Sequence, residues 1–188
     1  MPANLILLVG PRGSGKSTVG PVLARLLGWG FADADALVEA TAGKSIAAVF
    51  AAEGEPGFRD REAAALESLC AQPRLVVATG GGAVLREANR DVMKRCGFVA
   101  WLAVPPQLAF ERLRADPLTP GRRPNLTAVG GLSELRELTA AREPLYRAVA
   151  DFTCDTAGRS PDEAADAILT AWTNSRSSSG PSPPSFSG

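Results

Sequence analysis

Gly10–Thr18 reads GPRGSGKST, and its spacing, GxxxxGK[ST], is that of a phosphate-binding loop. Glycines let successive backbone N–H groups turn toward a polyphosphate, and the positive N-terminal end of a following helix adds to the field. In this scheme Gly13, Ser14, Gly15, Lys16, Ser17 and Thr18 cradle the phosphates. Lys16 reaches the terminal pair, and the Ser17 hydroxyl ligates Mg²⁺. The spacing is not GxGxxG, so a dinucleotide-binding turn is not indicated.

Four further groups can do chemistry, and each has a plainer reading. Phe31–Asp35 (FADAD) carries Asp33 and Asp35. Residues i and i+2 of an extended chain face one side, so one carboxylate can help hold Mg²⁺ while the other takes a proton from a hydroxyl. The same two acids can instead cap the next helix from a solvated loop. Arg59 and Glu62 stand at i, i+3 and can pair. With Ile46, Phe50 and Phe58 they make either a pocket with an apolar wall and one anion grip, or core aromatics beside a surface ion pair. Gly80-Gly81-Gly82 carries an entropic cost that suits close approach to a ligand or a tight turn. Arg142 falls on the apolar stripe Leu135, Leu138, Leu145 and Val149. A buried Arg needs an anion, either a structural carboxylate or the acid group of a substrate.

The elements that must position these groups alternate. Asn4–Val9 (NLILLV) is a continuously apolar run ending at Gly10, which suits a strand buried on both faces. Val19, Val22, Leu23, Leu26 and Leu27 then mark one helical stripe, stopped by Gly28. Further strands are predicted at 29–32, 74–78, 98–104 and 151–154, and helices near 45–52, 57–70, 86–95, 106–115 and 133–149. Ser160–Glu163 is a capping box with Pro at the first helical position, opening a last helix whose stripe is Ala165, Ile168, Leu169 and Trp172. Strands alternating with helices imply a parallel α/β sheet. Two segments break the rhythm. Asp116–Gly131, rich in Pro and Gly with paired arginines, reads as a long lid-like loop. Thr173–Gly188, mostly Ser, Gly and Pro, reads as a disordered tail.

Composition limits the chemistry. The 188 residues suit one domain, 1–172, followed by the tail. No His is present, which removes Ser-His-Asp hydrolysis, His-ligated zinc and an imidazole base, leaving carboxylates, Lys and Cys. Lys+Arg and Asp+Glu both number 20, so no global charge attracts nucleic acid or an anionic membrane. The cations are 17 Arg against three Lys, and Arg suits bidentate grips on carboxylates and phosphates. Cys70, Cys96 and Cys154 form no CxxC, which suits buried thiols in a reducing cytosol. No segment is apolar for long enough to span a bilayer. The expectation is a cytoplasmic monomer whose partners are small molecules.

In combination these motifs resemble the shikimate kinase family. The matching pieces are Gly10–Thr18, Asp33-Ala34-Asp35, Ser45-Ile46 with Phe50, Gly54-Glu55 with Phe58-Arg59 and Glu62, Ala78–Gly82, Arg123-Pro124, Arg142–Tyr146 and Arg159–Pro161, in family order over about residues 4–172. The resemblance implies a three-layer α/β/α P-loop fold with a five-stranded parallel sheet ordered 2-3-1-4-5. It also implies a small helical substrate-binding region at about 33–62 and a lid at about 114–127. The activity it implies is transfer of the ATP γ-phosphoryl, with Mg²⁺, to the 3-hydroxyl of shikimate in aromatic amino-acid biosynthesis. By the same resemblance Arg59 and Arg142 hold the substrate carboxylate. Asp35 holds ring hydroxyls and acts as base, and Gly81 and Gly82 offer backbone N–H groups. Asp33 serves Mg²⁺ with Ser17, Arg123 (or the adjacent Arg122) reaches over the phosphates with Lys16 opposite, and Arg159 lies by the adenine. The rival readings are another small-molecule kinase of this fold, such as one for gluconate or nucleotides, a kinase for an aminated shikimate, and a nucleotide-binding protein without catalysis.

Overall fold

The computed structural model describes residues 4–115 and 131–177. Its sheet comprises β1 (Leu5–Val9), β2 (Gly30–Asp33), β3 (Leu75–Ala78), β4 (Phe98–Ala103) and β5 (Phe152–Asp155), all parallel and ordered β2-β3-β1-β4-β5. The helices among the described residues are α1 (Lys16–Leu27), α2 (Ala34–Ala42), α3 (Ile46–Cys70), α4 (Glu87–Cys96), α5 (Pro106–Ala115), α6 (Gly131–Val149) and α7 (Pro161–Ser177), with a 3₁₀ turn at Ala83–Leu85.

Strand alternation divides the core. Leu5, Leu7 and Val9 of β1 join Val77, Val99 and Trp101 on one face, packed against Leu66 of α3, Met93 of α4 and Tyr146 of α6. Ile6 and Leu8 join Val76, Ala100 and Leu102 on the other, against Leu23 of α1 and Ile168 of α7. With both faces covered, β1 can be apolar throughout, which is why it carries no polar residue. The chain leaves β1 toward α1 on the second face and leaves β3 toward α4 on the first. The carboxyl ends of these adjacent strands therefore open a crevice between diverging connections, where open α/β sheets bind ligands.

The order 2-3-1-4-5 is as expected, and four local features differ. The segment 34–42 is a helix, begun by Asp33, whose Oδ1 accepts from the N–H groups of Asp35 (2.9 Å) and Ala36 (3.4 Å). The helices expected at 45–52 and 57–70 are continuous in α3, with a kink at Gly54 (φ 68°). Glu53 ties the two halves by accepting from Lys44 Nζ (2.9 Å) and Arg61 Nε (2.7 Å). The helix expected from 133 begins at Gly131, the last residue of the expected long loop, whose other residues lie outside the described ones. The helix α7 continues through Thr173–Ser177, five residues into the expected tail. Trp172 packs edge-on against Trp29 at 5.2 Å, and Arg176 lies over Trp172 and donates to Asn4 Oδ1 at 3.1 Å. The Ser160–Glu163 capping box forms in both directions, at 2.7 and 3.2 Å.

Candidate active site

The phosphate loop spans the carboxyl end of β1 and the start of α1. At Gly13 (φ 76°) a Cβ would collide with the backbone of Ala109, so both conformation and space require glycine. The Lys16 ammonium curls over the loop and donates to the carbonyls of Gly10 and Pro11, both at 2.8 Å, and to Ser14 Oγ at 3.3 Å. Val19 N–H and Thr18 N–H both donate to the Gly15 carbonyl, starting α1. Two groups brace the loop from outside, and the sequence offered no signal for either. Arg112 donates to Gly13 O (3.4 Å) and to Thr156 O (2.7 Å), while Thr156 Oγ1 donates to Ser14 O (3.3 Å). Arg159 is exposed three residues beyond Thr156, in the turn before α7.

Asp33 and Asp35 do separate work, and strand alternation is not what places them. Asp33 ends β2 and Asp35 lies in the first turn of α2. While Asp33 Oδ1 caps the helix, its Oδ2 accepts the Ser17 hydroxyl at 2.9 Å. The helical turn sends Asp35, only 9% exposed, toward the acceptor side. Ser17 and Asp33 thus present a hydroxyl and a carboxylate together. Mg²⁺ in phosphoryl-transfer sites takes one or two such oxygens and completes its shell with phosphates and water, so the pair fits that ion. Among the described residues no group of three or more His, Cys, Asp and Glu is arranged to hold a metal.

Beside this loop lies a cavity of about 460 Å³. Ile46, Phe50 and Phe58 form an apolar wall, with the two Phe rings stacked at 4.5 Å. Arg12, Arg59 and Arg142 supply its positive charges, and Asp35, Glu55 and Glu62 its negative ones. The ion pair of Arg59 is buried: Nη1 meets Glu62 Oε2 at 2.8 Å, with side chains 10% and 2% exposed, and Nη2 meets Glu55 Oε1 at 3.0 Å. Burial opposes the Arg59 cation, but Glu62 and Glu55 outweigh it and raise its pKa above the ordinary value. Burial pushes the Glu62 carboxyl up, against the pull of Arg59, Arg142 and Arg86.

The Gly80–Gly82 turn lets these groups converge. A Cβ on Gly80 would stand 2.5 Å from Glu62 Oε1 and 2.9 Å from Asp35 Oδ1, and one on Gly82 would strike the Arg59 guanidinium. The Gly81 carbonyl accepts from the Tyr146 hydroxyl at 2.5 Å and from Arg142 Nη1 at 3.3 Å. Tyr146 is fully buried, and burial pushes its phenol up to about 12, so it stays a donor. Arg142 is half-buried, its carboxylate neighbours include Glu62, and Leu138 lines the cavity one turn before it. The structure thus brings together the phosphate loop, Asp33, Asp35, Arg59, Gly81, Gly82 and Arg142, and adds Arg12. Arg122 and Arg123 of the expected lid lie outside the described residues.

A cavity of this size against a phosphate loop suits delivery of a phosphoryl group to a small anionic molecule. Fold and site together place the chain among P-loop small-molecule kinases. A family model described as shikimate kinase matches residues 12–173. The shikimate kinase of Rhodopirellula baltica is 46% identical over 166 residues, covering 88% of this chain and 89% of that one. That of Symbiobacterium thermophilum is 47% identical over 164 residues, covering 87% and 93%. Among solved structures, shikimate kinase from Acinetobacter baumannii in complex with shikimate superposes with a TM-score of 0.86 at 39% identity, covering 93% of this chain and 95% of that one. The chain belongs to the shikimate kinase family.

Proposed function

We propose that this protein transfers the γ-phosphoryl group of ATP to the 3-hydroxyl of shikimate, giving shikimate 3-phosphate and ADP. The observation that carries the reading is the pairing of Arg59 and Arg142 around one cavity with Asp35, directly beside the phosphate loop. Two cations and an apolar wall suit a small ring bearing a carboxylate, and Asp35 suits its hydroxyls.

In the reaction the 3-hydroxyl oxygen forms a bond to the γ-phosphorus, the bond to the β–γ bridging oxygen breaks, and the hydroxyl proton passes to the Asp35 carboxylate. Arg59 and Arg142 hold the carboxylate end of the ring, and the peptides of Gly81 and Gly82 line its path. Lys16 leaves the loop carbonyls for the β/γ-phosphate oxygens and offsets the charge on the transferred group. Ser17 and Asp33 would hold Mg²⁺, which when bound neutralises the phosphate oxygens. Gly13–Thr18 cradles the phosphates and Arg159 lies by the adenine. In this reading one domain acts as a cytoplasmic monomer; its three cysteines are free thiols. No helix among the described residues is long and apolar enough to cross a membrane.

ADP release coupled to a reporter tests the assignment with shikimate, quinate, gluconate and nucleoside monophosphates as acceptors. Mg²⁺-dependent release with shikimate is the expected result. Release with gluconate or a nucleotide and none with shikimate overturns it. Arg142→Ala removes one charged grip, a loss of about 1.5–3 kcal/mol. The shikimate Kd from calorimetric titration is therefore expected to rise by about 10- to 100-fold, with the ATP Kd unchanged. An unaltered shikimate Kd makes Arg142 a structural residue that only supports the Gly81 carbonyl.

A further inference from the structure

Tyr146 is a buried titratable group to which the reaction above gives no task. Its side chain is fully buried, its ring stacks on Trp101 at 6.0 Å, and its hydroxyl donates to the Gly81 carbonyl at 2.5 Å. A ring packed in this way holds its hydroxyl at one place relative to the sheet. The carbonyl it meets belongs to a turn with two available states. Gly80–Ala83 is closed by Ala83 N–H donating to the Gly80 carbonyl at 3.1 Å. Gly82, the third residue, has φ −100° and ψ −2°, the values of a type I turn. A type II turn closes with the same hydrogen bond, but with φ about +80° at that residue and the central peptide rotated by about 180°. Glycine at the third position favours type II, and a peptide between two glycines meets no Cβ as it rotates. The local sequence therefore does not select the observed state.

The central peptide of this turn is the one that joins Gly81 to Gly82. In the observed state its carbonyl accepts from the Tyr146 hydroxyl and from Arg142 Nη1 at 3.3 Å. Rotating the peptide takes the carbonyl away from both donors. A trans peptide turns its N–H away from its carbonyl, so the state that gives Tyr146 the carbonyl sends the Gly82 N–H the opposite way. Gly81 and Gly82 line the acceptor cavity, and a Cβ on Gly82 would strike the Arg59 guanidinium. The peptide thus stands beside the charged grip of the acceptor site. We infer that Tyr146 is a positioning residue whose hydroxyl selects the peptide orientation in which the Gly82 N–H faces the acceptor. The inference deepens the acceptor reading of the cavity and rests on it. A tyrosine that only fills the core would act on stability without regard to the turn.

Tyr146→Phe keeps the ring and removes only the hydroxyl. Calorimetric titration is expected to show the shikimate Kd raised by about 3- to 10-fold, the scale of one hydrogen bond, with the ATP Kd within about 2-fold. Thermal melts report whether the variant is folded. A second readout needs no variant. Tyr146 is the only tyrosine of the chain, so wild-type protein grown on tyrosine labelled with ¹³C at Cζ gives one phenol signal. An anion at the Gly82 N–H makes the carbonyl of the same peptide a better acceptor. Shikimate is therefore expected to shift that signal, and ADP to leave it in place. An unchanged shikimate Kd in folded Tyr146→Phe, equal losses for shikimate and ATP, a fall confined to the melt, or a phenol signal that shikimate leaves unmoved each overturn the inference alone. A wild type that binds no shikimate overturns both this inference and the acceptor reading.

Discussion

Asp35→Asn is expected to lower kcat for shikimate by about 10²- to 10⁴-fold, the span that a positioned acid or base contributes, while ATP binds as before. Asn keeps the shape of the side chain and can still bond a ring hydroxyl, but it cannot accept the proton. The separation of Asp33 from Asp35 is what isolates the effect. Asp33 caps α2 and meets Ser17 on the nucleotide side, whereas Asp35 points to Gly80 and the acceptor cavity. Phosphoryl transfer through a loose transition state asks little of a base until late, which favours the lower half of the range. Steady-state kinetics with an ATP titration reads both quantities. Unchanged turnover removes Asp35 from the base role, and lost ATP binding shows that the two aspartates are coupled after all.

The phosphate loop was legible because its chemistry is contiguous: one glycine-rich turn, one Lys and one Ser, bounded by a buried strand and an amphipathic helix. The parallel α/β class followed from apolar runs alternating with helical stretches, whereas the strand order came from the family resemblance alone. Tertiary choices were less visible. No local pattern told whether the Arg59–Glu62 pair lies at the surface or inside, since i, i+3 spacing serves either. Burial came from the Gly80–Gly82 turn packing over it, which is set some twenty residues later. Alternation placed both aspartates on one side of a strand, and Asp33 instead broke the strand by capping α2. The apolar stripe on α6 was read from Leu135, Leu138, Leu145 and Val149, yet Tyr146 beside it is fully buried, its hydroxyl donating to a carbonyl on a distant turn. Arg12 and Arg112 carried no signal, because an arginine inside a variable position of a loop motif, or on an exposed-looking helix, reads as solvated charge.

Arg59→Ala is expected to do two kinds of damage that can be separated. It removes an anion grip, so shikimate binding should weaken by at least about 100-fold, on the scale of a lost charge-assisted contact. It also leaves Glu62, only 1% exposed, buried without its 2.8 Å partner. Breaking a buried pair from one side costs about 3–5 kcal/mol, which for a chain of this size lowers Tm by about 6–20 °C. Burial already raises the Glu62 pKa, with Arg59 the main opposing influence, so losing Arg59 raises it further. A carboxyl whose folded pKa exceeds its unfolded one binds more protons in the native state across that interval. The variant should therefore be more stable at about pH 5 than at about pH 8, and should lose stability as pH rises through the raised Glu62 pKa. Replacing both partners, as Arg59→Met with Glu62→Leu, removes the stranded charge and is expected to recover most of the Tm while shikimate binding stays lost. An Arg59→Ala protein with wild-type Tm at about pH 8 would show that Glu62 finds another cation, with Arg142 and Arg86 the two at hand. A double variant that binds shikimate normally would remove Arg59 from the acceptor site.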